Sequence, residues 1–273
     1  MNEMYIVATY TVLDDICQAF MGETKYKPKM TPAEIVFVAI IAAKYFQNHL
    51  ERALFVLSKM GYIAPERCLS ISRYNRQLHQ HRDTLALCVQ ILMELACEGE
   101  LFILDSIPMP VCKRKRARRC RKVQGRMFCG YCAAKDEKFF GWRLHLLCDA
   151  DGIPVGFVIL PGALHDLTPI YELSYDLPPG CKILGDKGYN DKEAEAILAA
   201  AGVRLVPIRK KNMKRHEWED EYDLRQHRKS IETVNSQLES MAINRLRART
   251  NDGFYIKVLA SLVALWATQS FSI

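Results

Sequence analysis

Long apolar runs are missing from this 273-residue chain. The two longest, "IVFVAIIAA" (35–43) and "VLASLVALWA" (258–267), are nine and ten residues. A bilayer crossing needs ~20, so both read as buried helices and no membrane partner is expected. There is no internal repeat, which excludes a solenoid, and no low-complexity linker. No glycine-rich nucleotide-binding loop is present either, which argues against nucleotide-driven chemistry. A signal-peptide pattern is also lacking, because Asp14 and Asp15 interrupt the early apolar residues. The expected setting is therefore the cytosol, with reduced thiols rather than disulfides among the ten cysteines.

Acid is in deficit. Lys and Arg number 38 against 31 Asp and Glu, a net charge of +7. The excess is unevenly placed: "KRKRARRCRK" (113–122) holds eight cations in ten residues, and "RKKNMKR" (209–215) holds five in seven. Such blocks repel themselves unless a polyanion lies nearby. Nucleic acid is the first partner to consider, with Arg114, Arg116, Lys210 and Lys211 as candidate contacts. A solvated surface loop is the plainer alternative for any one block. Hydrophobic residues make up 49% of the chain, enough for a packed core.

Most cysteines, such as Cys88 and Cys97 in helical patterns, read as small core residues. Cys112, Cys120, Cys129 and Cys132 fall within twenty-one residues and end in a C-x-x-C. They could hold Zn²⁺, although the first two spacings are irregular for such a site.

The pattern changes near residue 100. Before it, helices dominate. "TPAE" (31–34) is a capping box that opens a helix running to about His49. A second helix covers 50–60 and stops at Gly61. A third opens at Ser70 and runs, with a break, towards Cys97. "SRYNRQLHQHR" (72–82) is polar, basic and carries Tyr74, the character of a recognition helix in a helix-turn-helix unit or of an ordinary exposed helix. After residue 100 come strands: "LFIL" (101–104), then "FFGWRLHLLCD" (139–149) and "IPVGFVILPG" (153–162), joined as a hairpin at Asp151-Gly152. A helix is expected after His165-Asp166. "KILGD" (182–186) is a strand, 191–202 a helix capped by Asp191 and Gly202, "VRLVPI" (203–208) a strand and 218–241 a helix. That order predicts an α/β class, a mixed sheet flanked by helices. Two domains are expected, a helical DNA-binding one over 1–100 and a catalytic one over 101–273.

Two of these strands end on an acid, Asp105 and Asp186. In α/β sheets, ligands gather at the carboxyl ends of neighbouring strands. A third acid, Glu232, lies beside the Ile231, Val234, Leu238, Met241 stripe of the last of these helices. Three converging carboxylates repel unless cations join them. Two Mg²⁺ or Mn²⁺ ions would resolve this and suit phosphodiester chemistry. Singly, each acid has a plainer reading: a turn at Asp105 or Asp186, or a pairing of Glu232 with Arg228.

Five stretches occur together: "LDSIPMPVC" (104–112), "DGIPVGFVILPGALHD" (151–166), "GDKGYND" (185–191), "LVPIRKKN" (205–212) and "RKSIETV" (228–234). In this order they resemble the DDE transposases of insertion sequences, whose catalytic domain is RNase H-like. The resemblance implies Asp105, Asp186 and Glu232 as catalytic metal ligands. It places Tyr189 and Arg228 near DNA phosphates, with their neighbours Lys187 and Lys229 as further contacts. The His165-Asp166 pair is also a feature of the resemblance, either near the site or as a helix cap. His145 is expected as a satisfied core histidine. Arg225 and Glu239 stand where one large branch carries a tyrosine and a lysine; the R-K-x-I-E-T form resembles another branch.

The implied activity is a bacterial-type mobile-element transposase. It would bind terminal inverted repeats, pair two ends as a homodimer, cleave them and join the 3′-hydroxyls to target DNA. A metal-dependent nuclease that does not join, and a DNA-binding protein with a dead site, are the rival readings.

Overall fold

A computed structural model describes residues 1–21, 28–132 and 135–271. The chain divides into two compact units: Met1–Leu92 together with Gln237–Ile273, and Met93–Ser236.

The first unit is helical: α1 (Glu3–Met21), α2 (Pro32–Phe46), α3 (Leu50–Lys59), α4 (Ile71–Gln80), most of α5 (Arg82–Ala96) and, from the chain's end, α9 (Asn251–Ser270). Helix α2 opens on the expected capping box, Thr31 Oγ1 accepting from the Glu34 amide while Glu34 Oε2 accepts from the Thr31 amide. From Ala33 to Ala43 every residue of α2 is buried. Its apolar circumference fits a helix surrounded on all sides, and it packs against α1, α3, α4 and α9. The two apolar runs are thus core helices, and among the described residues no helix is long and apolar enough to cross a membrane. Helix α4 turns Tyr74 and Leu78 inward; Tyr74 donates its hydroxyl proton to the Ile35 carbonyl at 2.8 Å.

The expected domain division lies at residue 100, with the C-terminal helix in the catalytic part. The units divide near residue 92 and return α9 to the helical one. The reason is apolar matching. Helix α9 buries residues on nearly all of its circumference, and α2 offers a partner of the same kind. Tyr5 of α1 also donates to the Ala264 carbonyl at 3.0 Å.

The second unit is built on a mixed sheet, six-stranded among the described residues. Its strands are β1 (Leu101–Lys113), β2 (Cys129–Cys132), β3 (Glu137–Asp149), β4 (Pro154–Pro161), β5 (Lys182–Gly185) and β6 (Arg204–Pro207). Antiparallel β3 lies beside β1, with β2 and β4 along its other edge; β5 and β6 run parallel to β1 on the opposite side. The β3–β4 hairpin turns at Asp151-Gly152, where Gly152 takes φ +85° and Asp149 Oδ1 accepts from the Asp151 and Ile153 amides.

Strand β1 is longer than the sequence pattern implies. It does not stop at Asp105 but continues to Lys113 against β3, through Pro108 and Pro110. Prolines are tolerated where a strand is paired on one side only; β5 pairs with β1 only from Leu101 to Leu104. Asp105 therefore sits where the parallel pairing ends, in mid-strand.

The helix expected after His165-Asp166 is α6 (Ile170–Ser174), and α7 (Lys192–Ala200) is capped by Asp191, which accepts from the Ala194 amide. Helix α8 (Trp218–Ser240) begins in this unit. Its start is pinned to the sheet by Asp220, which is almost fully buried and pairs with Lys182 of β5 and Arg204 of β6.

Candidate active site

The pairing of β1 with β5 sets the site. The ladder runs Leu101↔Lys182, Phe102↔Ile183, Ile103↔Leu184 and Leu104↔Gly185. The next residue on each strand is an aspartate, so Asp105 and Asp186 follow in register on neighbouring parallel strands, which lie ~4.8 Å apart. Their apolar lead-ins are buried, and that burial anchors both backbones.

Each carboxylate is oriented by hydrogen bonds. Asp105 Oδ1 accepts from the Ser106 amide at 2.8 Å and Oδ2 from Asn235 Nδ2 of α8 at 2.6 Å. Asp186 Oδ1 accepts from the Gly188 amide at 2.7 Å. A third carboxylate, Asp166 from the loop after β4, stands 3.5 Å from the Arg143 guanidinium. A Cβ added to Gly188 would lie 2.8 Å from Asp166 Oδ2 and 2.9 Å from Asp186 Oδ1, so these two oxygens are at most about 5.7 Å apart.

The electrostatics follow from that crowding. Burial pushes the Asp105 carboxyl up to about 6; the Asn235 and Ser106 bonds oppose this, and the charges of Asp186 and Asp166 add to it. Asp186 is raised as well, by burial first, with the Gly188 amide opposing and Asp166 adding. His145 lies fully buried beside them, with Nδ1 3.3 Å from the Tyr189 hydroxyl. Desolvation lowers its pKa to about 4 despite Asp166, so at neutral pH it carries no charge. Acids held close together, one of them largely desolvated, are what a hard divalent cation relieves. The buried Asp166 Oδ1, Asn235 Oδ1 and His145 Nε2 also have no hydrogen-bond partner among the described residues. The donor chemistry around Asp105 and Asp186 fits Mg²⁺ or Mn²⁺.

The convergence of three expected acids is not what the structure shows. Glu232 points to solvent, with 61% of its side chain exposed, and accepts from Arg228 Nε at 3.0 Å. Among the described residues no group of three His, Cys, Asp or Glu is arranged to hold a metal ion. The cause lies in the phase of α8. Val234, Leu238 and Met241 are buried, and Asn235, next to Val234, is the residue that reaches Asp105. Glu232 is one turn earlier on the same side, held by Arg228.

Tyr189 lies away from the surface. It is completely buried, its ring against Gly185. Lys187, Lys229, Lys210 and Lys211 are exposed, and so are Arg114 and Arg116, which sit in a 3-10 turn after β1. Arg209 of the second basic block is taken by a bidentate pair with Glu195, at 2.5 and 2.7 Å. His165 and Asp166 do not cap a helix, since α6 starts at Ile170.

Of the four clustered cysteines, Cys112, Cys120 and Cys129 pack around Val123, Phe128 and Phe140. All four are free thiols. Asn235 and Arg143 were not singled out from the sequence. Arg143 is readable only as one polar position in the alternation of β3. Asn235 carries no motif signal beyond its spacing of three from Glu232.

Comparison with known proteins bears on this arrangement. A family model described as "Transposase DDE domain" matches residues 96–251. No curated protein matches the chain. Among solved structures, similarity is found to a piggyBac transposase in a synaptic complex with hairpin DNA, at TM-score 0.50 and 12% identity, over 99% of this chain and 72% of that one. A Mos1 transposase in a paired-end complex with the left transposon end aligns at TM-score 0.26 and 11% identity, over 82% of each chain. The fold of the second unit is RNase H-like: a mixed sheet flanked by helices.

Proposed function

This chain belongs to the transposase DDE domain family, and from that premise we propose that it cleaves the ends of its own mobile element and joins them to target DNA at the Asp105–Asp186 pair. The observation that carries the reading is the parallel register that sets these two acids side by side, with Asp105 held above the ordinary carboxylate range.

Asp105 and Asp186 would hold two Mg²⁺ or Mn²⁺ ions, with Glu232 as a further ligand once it leaves Arg228. When bound, such ions activate the attacking water or hydroxyl and stabilise the leaving oxygen of a phosphodiester. Asn235 fixes the rotamer of Asp105 from α8. His145 stays uncharged behind the site. Lys187, next to Asp186, and the exposed Arg114, Arg116, Lys210, Lys211 and Lys229 supply positive charge for the DNA backbone. Duplex DNA, as inverted-repeat ends and target, is the substrate, and two copies of the chain would pair two ends.

The test uses the DNA flanking the reading frame. Duplexes from each flank, pre-cleaved to expose a 3′-hydroxyl, are mixed with the full chain, Mg²⁺ and plasmid target. Joined products that vanish in Asp105→Asn and Asp186→Asn support the reading. Metal-dependent nicking without joined product would point to a nuclease instead.

A further inference from the structure

The first unit holds a cavity of about 1120 Å³, built without any residue of the carboxylate site. Its charge is one-sided: Arg52, Arg245, Arg247, Arg249 and Lys257 face a single acid, Glu51. The segment "INRLRART" (243–250) explains the arginines. Leu246 is buried and Ala248 half-buried, and the alternating residues Arg245, Arg247 and Arg249 turn outward. None of these three guanidiniums has an ion-pair partner among the described residues.

The cavity is also where two helices begin. Helix α3 starts behind His49, whose Nδ1 accepts from the Arg52 amide, and α9 behind Thr250, whose hydroxyl accepts from Gly253. Both helices are long enough for the positive end of the dipole to add to the field. Gly253 leaves the first turn of α9 without a side chain, so His79 of α4 comes close: a Cβ there would be 3.6 Å from His79 Nε2. The floor is shaped by Gln47 and Asn48, both at positive φ. Asn48 is buried and held by Nδ2 bonds to the Met241 carbonyl and Ser261.

We propose that this cavity grips phosphates of duplex DNA, with Arg245, Arg247 and Arg249 as the contacting residues. Planar guanidiniums suit phosphate oxygens, which they bind in bidentate fashion. The arginines are exposed rather than enclosed, as a long polyanion requires. The inference rests on the reading that DNA is the substrate, but it concerns grip, not chemistry.

Fluorescence anisotropy of a labelled duplex tests it across a series of salt concentrations. The full chain is compared with Arg247→Ala/Arg249→Ala and with the single variant Arg249→Ala. Arg249 is an exposed coil residue, so the fold survives its loss, and a melting curve confirms this for both. The expected result for the double variant is binding weaker by about 10–100-fold near physiological salt, with the slope of log affinity against log salt shallower by about 2. The single variant shifts the slope by about 1.

Unchanged affinity and slope in both variants, beside a parent that binds, would overturn this inference and leave the proposed activity standing. A parent that binds no duplex at all would overturn both. Binding of pyrophosphate that the double variant abolishes, with duplex binding untouched, would also overturn it and mark a small-anion site.

Discussion

Asn235 of α8 donates its amide to Asp105 of β1 across 2.6 Å, linking a helix to a strand 130 residues away in the chain. The bond holds one acid of the proposed catalytic pair in place from outside the sheet. It is charge-assisted, and removing such a partner costs more than removing a neutral one. Asn235→Ala should destabilise the protein by about 1–3 kcal/mol at neutral pH. Urea unfolding of parent and variant checks this; an unchanged midpoint would mean the bond contributes nothing net.

The raised pKa of Asp105 predicts a pH dependence with a definite sign. Between the ordinary 3.8 and about 6, the folded protein binds a proton that the unfolded chain has released. Unfolding free energy therefore falls as pH rises through that window, by on the order of 2–3 kcal/mol from this group in the absence of divalent cations. Asp105→Asn should abolish that contribution and be the more stable protein at pH 8. Melts at a series of pH values, in chelator, measure it.

Gly188 is the narrowest point of the site. A Cβ there falls under 3 Å from oxygens of both Asp166 and Asp186, closer than atoms approach without displacement. Gly188→Ala should lower DNA cleavage by at least ~10-fold while leaving stability within about 1 kcal/mol, since ordinary backbone angles are kept. Cleavage rates with a supercoiled plasmid, beside a melting curve, separate the two effects.

Glu232 and Arg228 form an exposed pair one turn apart, worth about 0.3–0.5 kcal/mol at most. If Glu232 serves as a further cation ligand, Arg228→Ala both frees it and removes a repelling charge. That variant should bind Mn²⁺ several-fold tighter with stability unchanged. Weaker or equal binding would leave Glu232 a surface residue.

Much of this architecture was legible in the chain because its signals are local. The capping box at Thr31, the Asp-Gly hairpin, the Asp191 cap and the two acids behind apolar strands each follow from neighbours in sequence. Three features were not legible, for physical reasons. Strand β1 continues past Asp105 because β3 supplies a partner along its whole length, and Pro108 and Pro110 hid that from a reading based on propensity. Strand β2 is four residues that only β3 organises. The choice of Asn235 over Glu232 as the residue touching Asp105 depends on how α8 is rotated, with Val234 and Leu238 buried, and rotation is not legible from neighbours in sequence. Tyr189 shows the converse. The resemblance implied a place near DNA phosphates, whereas the side chain is buried, its ring against Gly185 and its hydroxyl 3.3 Å from His145 Nδ1.

The central claim is that Asp105 and Asp186 together bind divalent cations. Calorimetric titration of Mn²⁺ into the full chain, with Asp105→Asn and Asp186→Asn alongside, tests it most directly. The account predicts measurable binding by the parent and a loss of at least about tenfold in each variant; heats of binding equal in all three proteins would contradict it.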